Sequence, residues 1–187
     1  MALVETLAII AIVIIVIAVI WFIAAYNGFV TLRNQIDNSW SQIDVQLKRR
    51  YDLVPNLVET VKGYAKHEKE TFKEVVEARN KVATAGNFKE KAQAENFLTG
   101  ALKSIFALAE DYPRLQANQN FLMLQEELAG IESKIAFARQ FYNDSVLQYN
   151  NNVQSFPGNV IAGMFGFIRR DYFESEDAAK QPVKVKF

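Results

Sequence analysis

Catalysis needs nucleophiles, bases, metal ligands or clustered charge, and this chain offers few sets of them. It contains no cysteine. Disulfides, thiolate zinc sites, thiol nucleophiles and thioether lipid anchors are therefore excluded. The single histidine, His67, rules out a multi-histidine metal site and leaves little for a Ser-His-Asp mechanism. It lies in Lys66-His67-Glu68-Lys69-Glu70, which reads as a charged, solvent-facing helix surface. Glu126, Glu127 and Glu132 come nearest to a carboxylate cluster. A di-metal bundle would need Glu-x-x-His pairs on facing helices, whereas residues 127–130 read Glu-Leu-Ala-Gly. Lys48-Arg49-Arg50 would suit a phosphate, but the 21 basic residues are balanced by 21 acidic ones. In a neutral chain such a triplet reads as a solvated helix face, able to meet anionic lipid or a partner. No catalytic, cofactor-binding or metal-binding residue is assigned. No cofactor is expected, and nucleic acid is not an expected partner.

The elements that must position these side chains are helical, beginning with residues 7–25. They read LAIIAIVIIVIAVIWFIAA, with no charge, Pro, Gly or hydroxyl. At about 1.5 Å per residue the run spans roughly 28 Å, close to the hydrocarbon thickness of a bilayer. Thirteen of its residues are Leu, Ile, Val or Phe, which favours insertion by on the order of 4–8 kcal/mol. Ala24-Ala25 imitates a signal cleavage site. The preceding MALVET, however, lacks the basic residues of a signal peptide, and the apolar run is long for one. The anchor is expected to be retained, with Trp21, Phe22 and Tyr26 at the headgroup level. Arg33 and the bases after it place the following domain in the cytoplasm, N-out and C-in, in the cell (inner) membrane.

From Tyr26 onward the hydrophobicity becomes one-sided. Ile36, Trp40, Ile43, Leu47, Tyr51, Val54, Val58, Val61 and Ala65 recur at threes and fours, the stripe of a bundle helix. The stripe keeps its phase across Pro55, which predicts a kink rather than a break, and the helix is expected to reach Ala85-Gly86-Asn87. Asp44 with Lys48 and Glu77 with Lys81 are spaced as helix ion pairs. A second helix is predicted over residues 88–109, buried along Ala92, Leu98, Leu102, Ile105 and Ala109. Gly100 would admit a close neighbour, and Asp111-Tyr112-Pro113 would end the helix. A third carries a heptad seam of Phe121, Leu124, Leu128, Ile131, Ile135, Ala138, Tyr142, Ser145 and Tyr149. Leu122, Phe137, Phe141 and Val146 would widen that stripe, favouring a globular bundle over an oligomeric coiled coil. Fraying is expected at Asn150-Asn151-Asn152.

Residues 156–167, FPGNVIAGMFGF, are apolar, Gly-rich and too short to span a bilayer. A short helix starting near Pro157 is expected. It would either cap the bundle or present an apolar patch to membrane or a second subunit. The predicted fold is all-α: an N-terminal transmembrane helix followed by an antiparallel up-and-down helical bundle with long helices. Residues 1–6 form a short tail, 7–25 the anchor, 26–174 the bundle and 175–187 a flexible tail. Val183, Val185 and Phe187 in that tail alternate like a strand, with a disordered end preferred.

Two stretches carry a resemblance. WSQIDVQLKRRYDLVPNLVETVKGYAKHEKET (residues 40–71), with EARN at 77–80 and the preceding YNGFVTLRNQIDNSW (26–40), resembles the opening of the LemA family. ARQFYNDSVLQYNNNVQSFPGNVIAGMFGFIRRDYFE (138–174) resembles its second signature, with the YN pairs, the FPxNxIA run, the FGF triplet and the closing FE. The resemblance covers nearly all of residues 26–174. It implies a single-pass bacterial membrane protein with an antiparallel helical bundle and no established enzymatic activity, so no catalytic residues carry over. It also implies an association with membrane proteases or other membrane proteins, and in one branch with magnetosome membranes. Some members carry a lipobox near the position of Ala24–Ala25, which would put their domains outside the cytoplasm. The expected function is a non-catalytic membrane-anchored scaffold or adaptor that self-associates as a homo-oligomer on the lipid bilayer. The alternative is a membrane-organising protein whose segment 156–167 contacts the lipid interface.

Overall fold

The computed structural model describes residues 1–173. Every regular element among them is helical: α1 (Ala2–Lys62), α2 (Lys69–Thr84), α3 (Phe88–Ala109), α4 (Pro113–Gln116), α5 (Gln119–Gln154) and α6 (Gly158–Phe165). The chain is all-α, as the stripes predict. The tail strand considered at Val183, Val185 and Phe187 lies outside the described residues. Two compact units are distinguished, one of residues 1–40 with 140–172, the other of residues 41–139 with Phe173.

Helix α1 runs 61 residues with Pro55 inside it. Val54, Leu57 and Val58 are buried around that proline, so packing holds the helical register that the missing N–H would weaken. Gly28 does not interrupt the helix either. The expected end at Ala85, however, is wrong. α1 stops at Lys62 and α2 starts at Lys69. The Gly63 N–H donates to the Glu59 carbonyl, and those of Tyr64 and Ala65 both donate to Val61, which closes the helix with a turn. Ala65 is buried in this turn at the next stripe position, so the periodicity alone continues through it.

In the unit of residues 41–139 the helices alternate in direction. Tyr51 meets Arg79 and Lys62 meets Phe72, so α1 and α2 are antiparallel. Asn87 caps α3 by accepting from the Glu90 N–H, while the Glu90 carboxylate accepts from the Gly86 N–H. This reciprocal box fixes a tight α2–α3 reversal. Asn96 with Arg139, and Phe106 with Phe121, make α3 and α5 antiparallel. The result is an up-and-down bundle of α1, α2, α3 and α5 around Val54, Leu57, Val61, Phe72, Val75, Leu98, Ile105 and Leu128. Pro113 opens the short α4, whose Leu115 is buried. Gly100 serves no close approach: a Cβ there would meet nothing within 4 Å.

In the other unit, α1 and α5 are again antiparallel. Trp40 pairs with Tyr142, the Gln35 amide donates to the Ser145 hydroxyl, and Phe29 packs on Tyr149. Of the α5 seam, Tyr142, Ser145 and Tyr149 are buried in this unit and Phe121, Leu128, Ile131 and Ile135 in the unit of residues 41–139, with Leu124 and Ala138 half-buried. The expected widening fails. Leu122, Phe137 and Phe141 stay exposed, and only Val146 is buried. Nor does α5 fray at Asn150-Asn151-Asn152; it continues to Gln154. Asn150 is buried, and its amide both donates to the Arg170 carbonyl and accepts from the Arg170 N–H, each at 2.9 Å. A polar, turn-prone residue thus becomes a clamp on the returning chain.

Candidate membrane-interface site

The segment 156–167 folds as the sequence suggests, with Pro157 as the N-cap of α6. Two glycines make the fit. A Cβ at Gly158 would overlap the Asn152 carbonyl oxygen and touch the Phe29 ring. Gly166 adopts φ +70°, and its N–H and that of Phe167 both donate to Ala162, a left-handed helix stop that side chains disfavour. This stop turns Phe167 back onto Phe29, with centroids 4.9 Å apart and planes 13° from parallel. Phe165 lies 4.7 Å from Tyr26 and 5.9 Å from Phe22. The Arg33 guanidinium sits 6.0 Å above the Phe167 ring. Residues 22, 26, 29 and 33 are spaced by four, three and four, so one face of α1 receives the whole segment.

Both sides of α6 are apolar. Ile161 and Ala162 are buried, as a cap requires. Facing out are Val160, Met164 and Phe165, at 53%, 66% and 47% exposure, with Phe156 and Ile168 beside them at 82% and 74%. Large side chains are normally scattered on a soluble surface; grouped like this they mark a contact site. Within α1, the apolar window that is long enough to cross a membrane has none of its residues buried. By length and composition this window is able to cross a membrane. Next to this site, the Tyr142 hydroxyl donates to the Asp171 carbonyl at 3.1 Å, and burial pushes its pKa up to about 12. Burial raises the Tyr149 phenol as well. Arg170 pairs with Asp37 at 3.6 Å on the exposed rim.

The residues considered for chemistry are not brought together. His67 is exposed, in the α1–α2 turn rather than on a helix. Glu126 and Glu127 are exposed, and among the described residues no three His, Asp or Glu side chains converge on a metal position. The Lys48-Arg49-Arg50 reading needs correction. Lys48 and Arg49 are solvated, but Arg50 is 1% exposed. It donates to the carboxylates of Glu95 and Glu132, to the Thr99 hydroxyl at 2.8 Å and to the Glu95 carbonyl at 3.3 Å. Glu95 is fully buried; burial raises its pKa, and the Arg50 charge opposes that rise. Arg50 thus braces α1 against α3 and α5. It lies on the stripe itself, three after Leu47 and four before Val54. Asp44 pairs with Lys91 on α3 rather than with Lys48, which turns to Asp52 at 3.5 Å. Lys81 lies over the Phe97 ring at 3.9 Å.

A family model described as the LemA family matches residues 39–187. The chain is also similar to magnetosome protein MamQ 2 of Paramagnetospirillum magneticum, 26% identical over 90% of this chain and 73% of that protein. Magnetosome protein MamQ of Magnetospirillum gryphiswaldense is 25% identical over 84% and 68% respectively. Protein LemA of Metamycoplasma hominis is 25% identical over 87% and 74%.

Proposed function

Since the chain belongs to the LemA family, we propose that it is a non-catalytic, membrane-anchored helical scaffold that seats α6 in the lipid interface. The observation that carries this reading is the packing of Phe165 against Phe22 and Tyr26. Those two residues flank the downstream end of the apolar run at 7–25, where headgroups meet the hydrocarbon. Whatever packs on them sits at the same depth. Transfer of the outward Val160, Met164 and Phe165 side chains into lipid contributes on the order of 1.5–3 kcal/mol each when burial is complete. Arg33 follows about two turns beyond Tyr26, placed to meet anionic headgroups. The anchor crosses once, and the bases from Arg33 onward put the domain in the cytoplasm. Self-association fits the Leu122, Met123 and Phe137 side chains that α5 leaves exposed.

The test uses the missing cysteine. Val160→Cys creates the protein's only thiol, which is labelled with an environment-sensitive fluorophore in the full chain reconstituted into liposomes. Brominated lipids are expected to quench the probe at 160 and to leave one at Lys134→Cys untouched. An unquenched, water-exposed probe at 160 removes the interfacial reading.

A further inference from the structure

The α1–α2 turn carries a second surface whose composition differs from the rest of the chain. An open groove of about 490 Å³ is lined by Lys62, Lys66, Lys69, Phe72, Lys73 and Val76. Four of these six are lysines, in a chain of zero net charge. All four are exposed, and none forms an ion pair among the described residues. The acids interleaved with them in sequence (Glu59, Glu68, Glu70, Glu74 and Glu77) do not line the groove. Glu68 instead accepts from the Tyr112 hydroxyl at 3.1 Å. The fold therefore sorts an alternating charge pattern into a cationic rim. Part of this arrangement works against the helix: Lys69 opens the first turn of α2, where the dipole disfavours a cation, and no side chain caps that end. The floor is apolar. Lys62 holds its ammonium 5.8 Å from the Phe72 ring, and Val76 is 44% exposed.

We propose that this groove docks an acidic peptide segment of a partner protein, which inserts one apolar side chain between the lysines. The groove is too open to enclose a small anion. Its lysines are flexible point charges, suited to carboxylates spaced along a peptide rather than to one bidentate group. The apolar floor adds what a purely electrostatic surface lacks, a position where a Leu or Phe gains burial. A polyanion backbone or a headgroup layer would leave that floor unused.

The experiment displays a random peptide library on phage against the full chain in nanodiscs of neutral phosphatidylcholine. Enriched peptides are expected to carry acidic residues around one large apolar residue and to weaken as salt rises. They should bind the Lys66→Glu/Lys73→Glu variant roughly tenfold or more weakly, about 1.4 kcal/mol or more. Val76→Ser should lower affinity for the same peptides, and Lys103→Glu/Lys134→Glu should not. Melting temperatures are compared so that loss of binding is read only in folded variants, which exposed lysines permit. Enrichment of neutral or basic peptides overturns the proposal, as does failure to enrich any. Equal binding to the Lys66→Glu/Lys73→Glu variant or of an acidic peptide lacking the apolar residue also overturns it. Displacement of the peptide by phosphatidylglycerol vesicles or duplex DNA, with the same lysine dependence, would reassign the groove to that ligand.

Discussion

Removing the Arg50 guanidinium leaves the Glu95 carboxyl without its partner in a site closed to water. Arg50→Met should therefore cost about 3–5 kcal/mol, read as a fall in the urea midpoint of the full chain in detergent. The double variant Arg50→Met/Glu95→Met should recover most of that loss, because a buried pair replaced by apolar groups is close to neutral. A simple surface charge would show neither effect. Tyr142 gives a second test. Its pKa is raised to about 12, so the folded state keeps a proton that the unfolded chain releases near pH 10. The hydroxyl's contribution is complete below pH 10 and is lost as pH rises through 12. Tyr142→Phe should cost about 1 kcal/mol at neutral pH, and the decline in stability between pH 10 and 12 should become shallower. Arg50 also shows what a sequence conveys at this scale. Its place three after Leu47 and four before Val54 stands in the sequence, but the basic triplet reads there as a solvated face, and its burial is a finding of the structure. Its carboxylate partners were not legible either, because Glu95 and Glu132 belong to helices whose azimuth only packing decides.

The elements were far more legible than their joints. The stripes of α1, α3 and α5 marked most of the buried positions, since helical period and burial share one cause, but not Arg50, Leu57 or Glu95, nor the exposure of Leu122, Phe137 and Phe141. The α1–α2 turn was missed because Ala65 is buried in phase, and the end of α5 because Asn150 finds a polar partner 20 residues on. Signals of that second kind are tertiary and leave no local trace. Interior glycines divide the same way. Gly100 sits in open space within α3, so Gly100→Ala should stabilise by about 0.5–1 kcal/mol. Gly158→Ala meets the Asn152 carbonyl and should displace α6 from its seat. Thermal melts separate the two by sign. The α6 change should also weaken brominated-lipid quenching at position 160, and unchanged quenching would show that the seat tolerates the methyl group.

At the scale of the whole molecule, the hydropathy contrast between residues 7–25 and everything after them marks a helix long and apolar enough to cross a membrane, and the sequence displays that contrast fully. Orientation rests on fewer groups. With the domain in the cytoplasm, Lys134→Cys in intact cells should resist an impermeant maleimide and react once the membrane is opened. Labelling before permeabilisation would reverse the topology. The LemA resemblance at residues 26–174 and the family match at 39–187 overlap along most of the chain and agree on the family. The apolar outer face of α6 was anticipated as one of two alternatives, and the structure gives the segment a buried face as well as an exposed one.

The contact of Phe165 with Phe22 and Tyr26 has a mechanical consequence. A bare transmembrane rod relieves a mismatch with bilayer thickness by sliding along the membrane normal. A rod with a greasy shoulder fixed at one end cannot slide without dragging that shoulder into the hydrocarbon or out into water. With α6 at the interface, only tilting or local thinning of the bilayer remains. Under the proposed interfacial seating of α6, the protein would register membrane thickness as an angle and sort among lipid domains by that property.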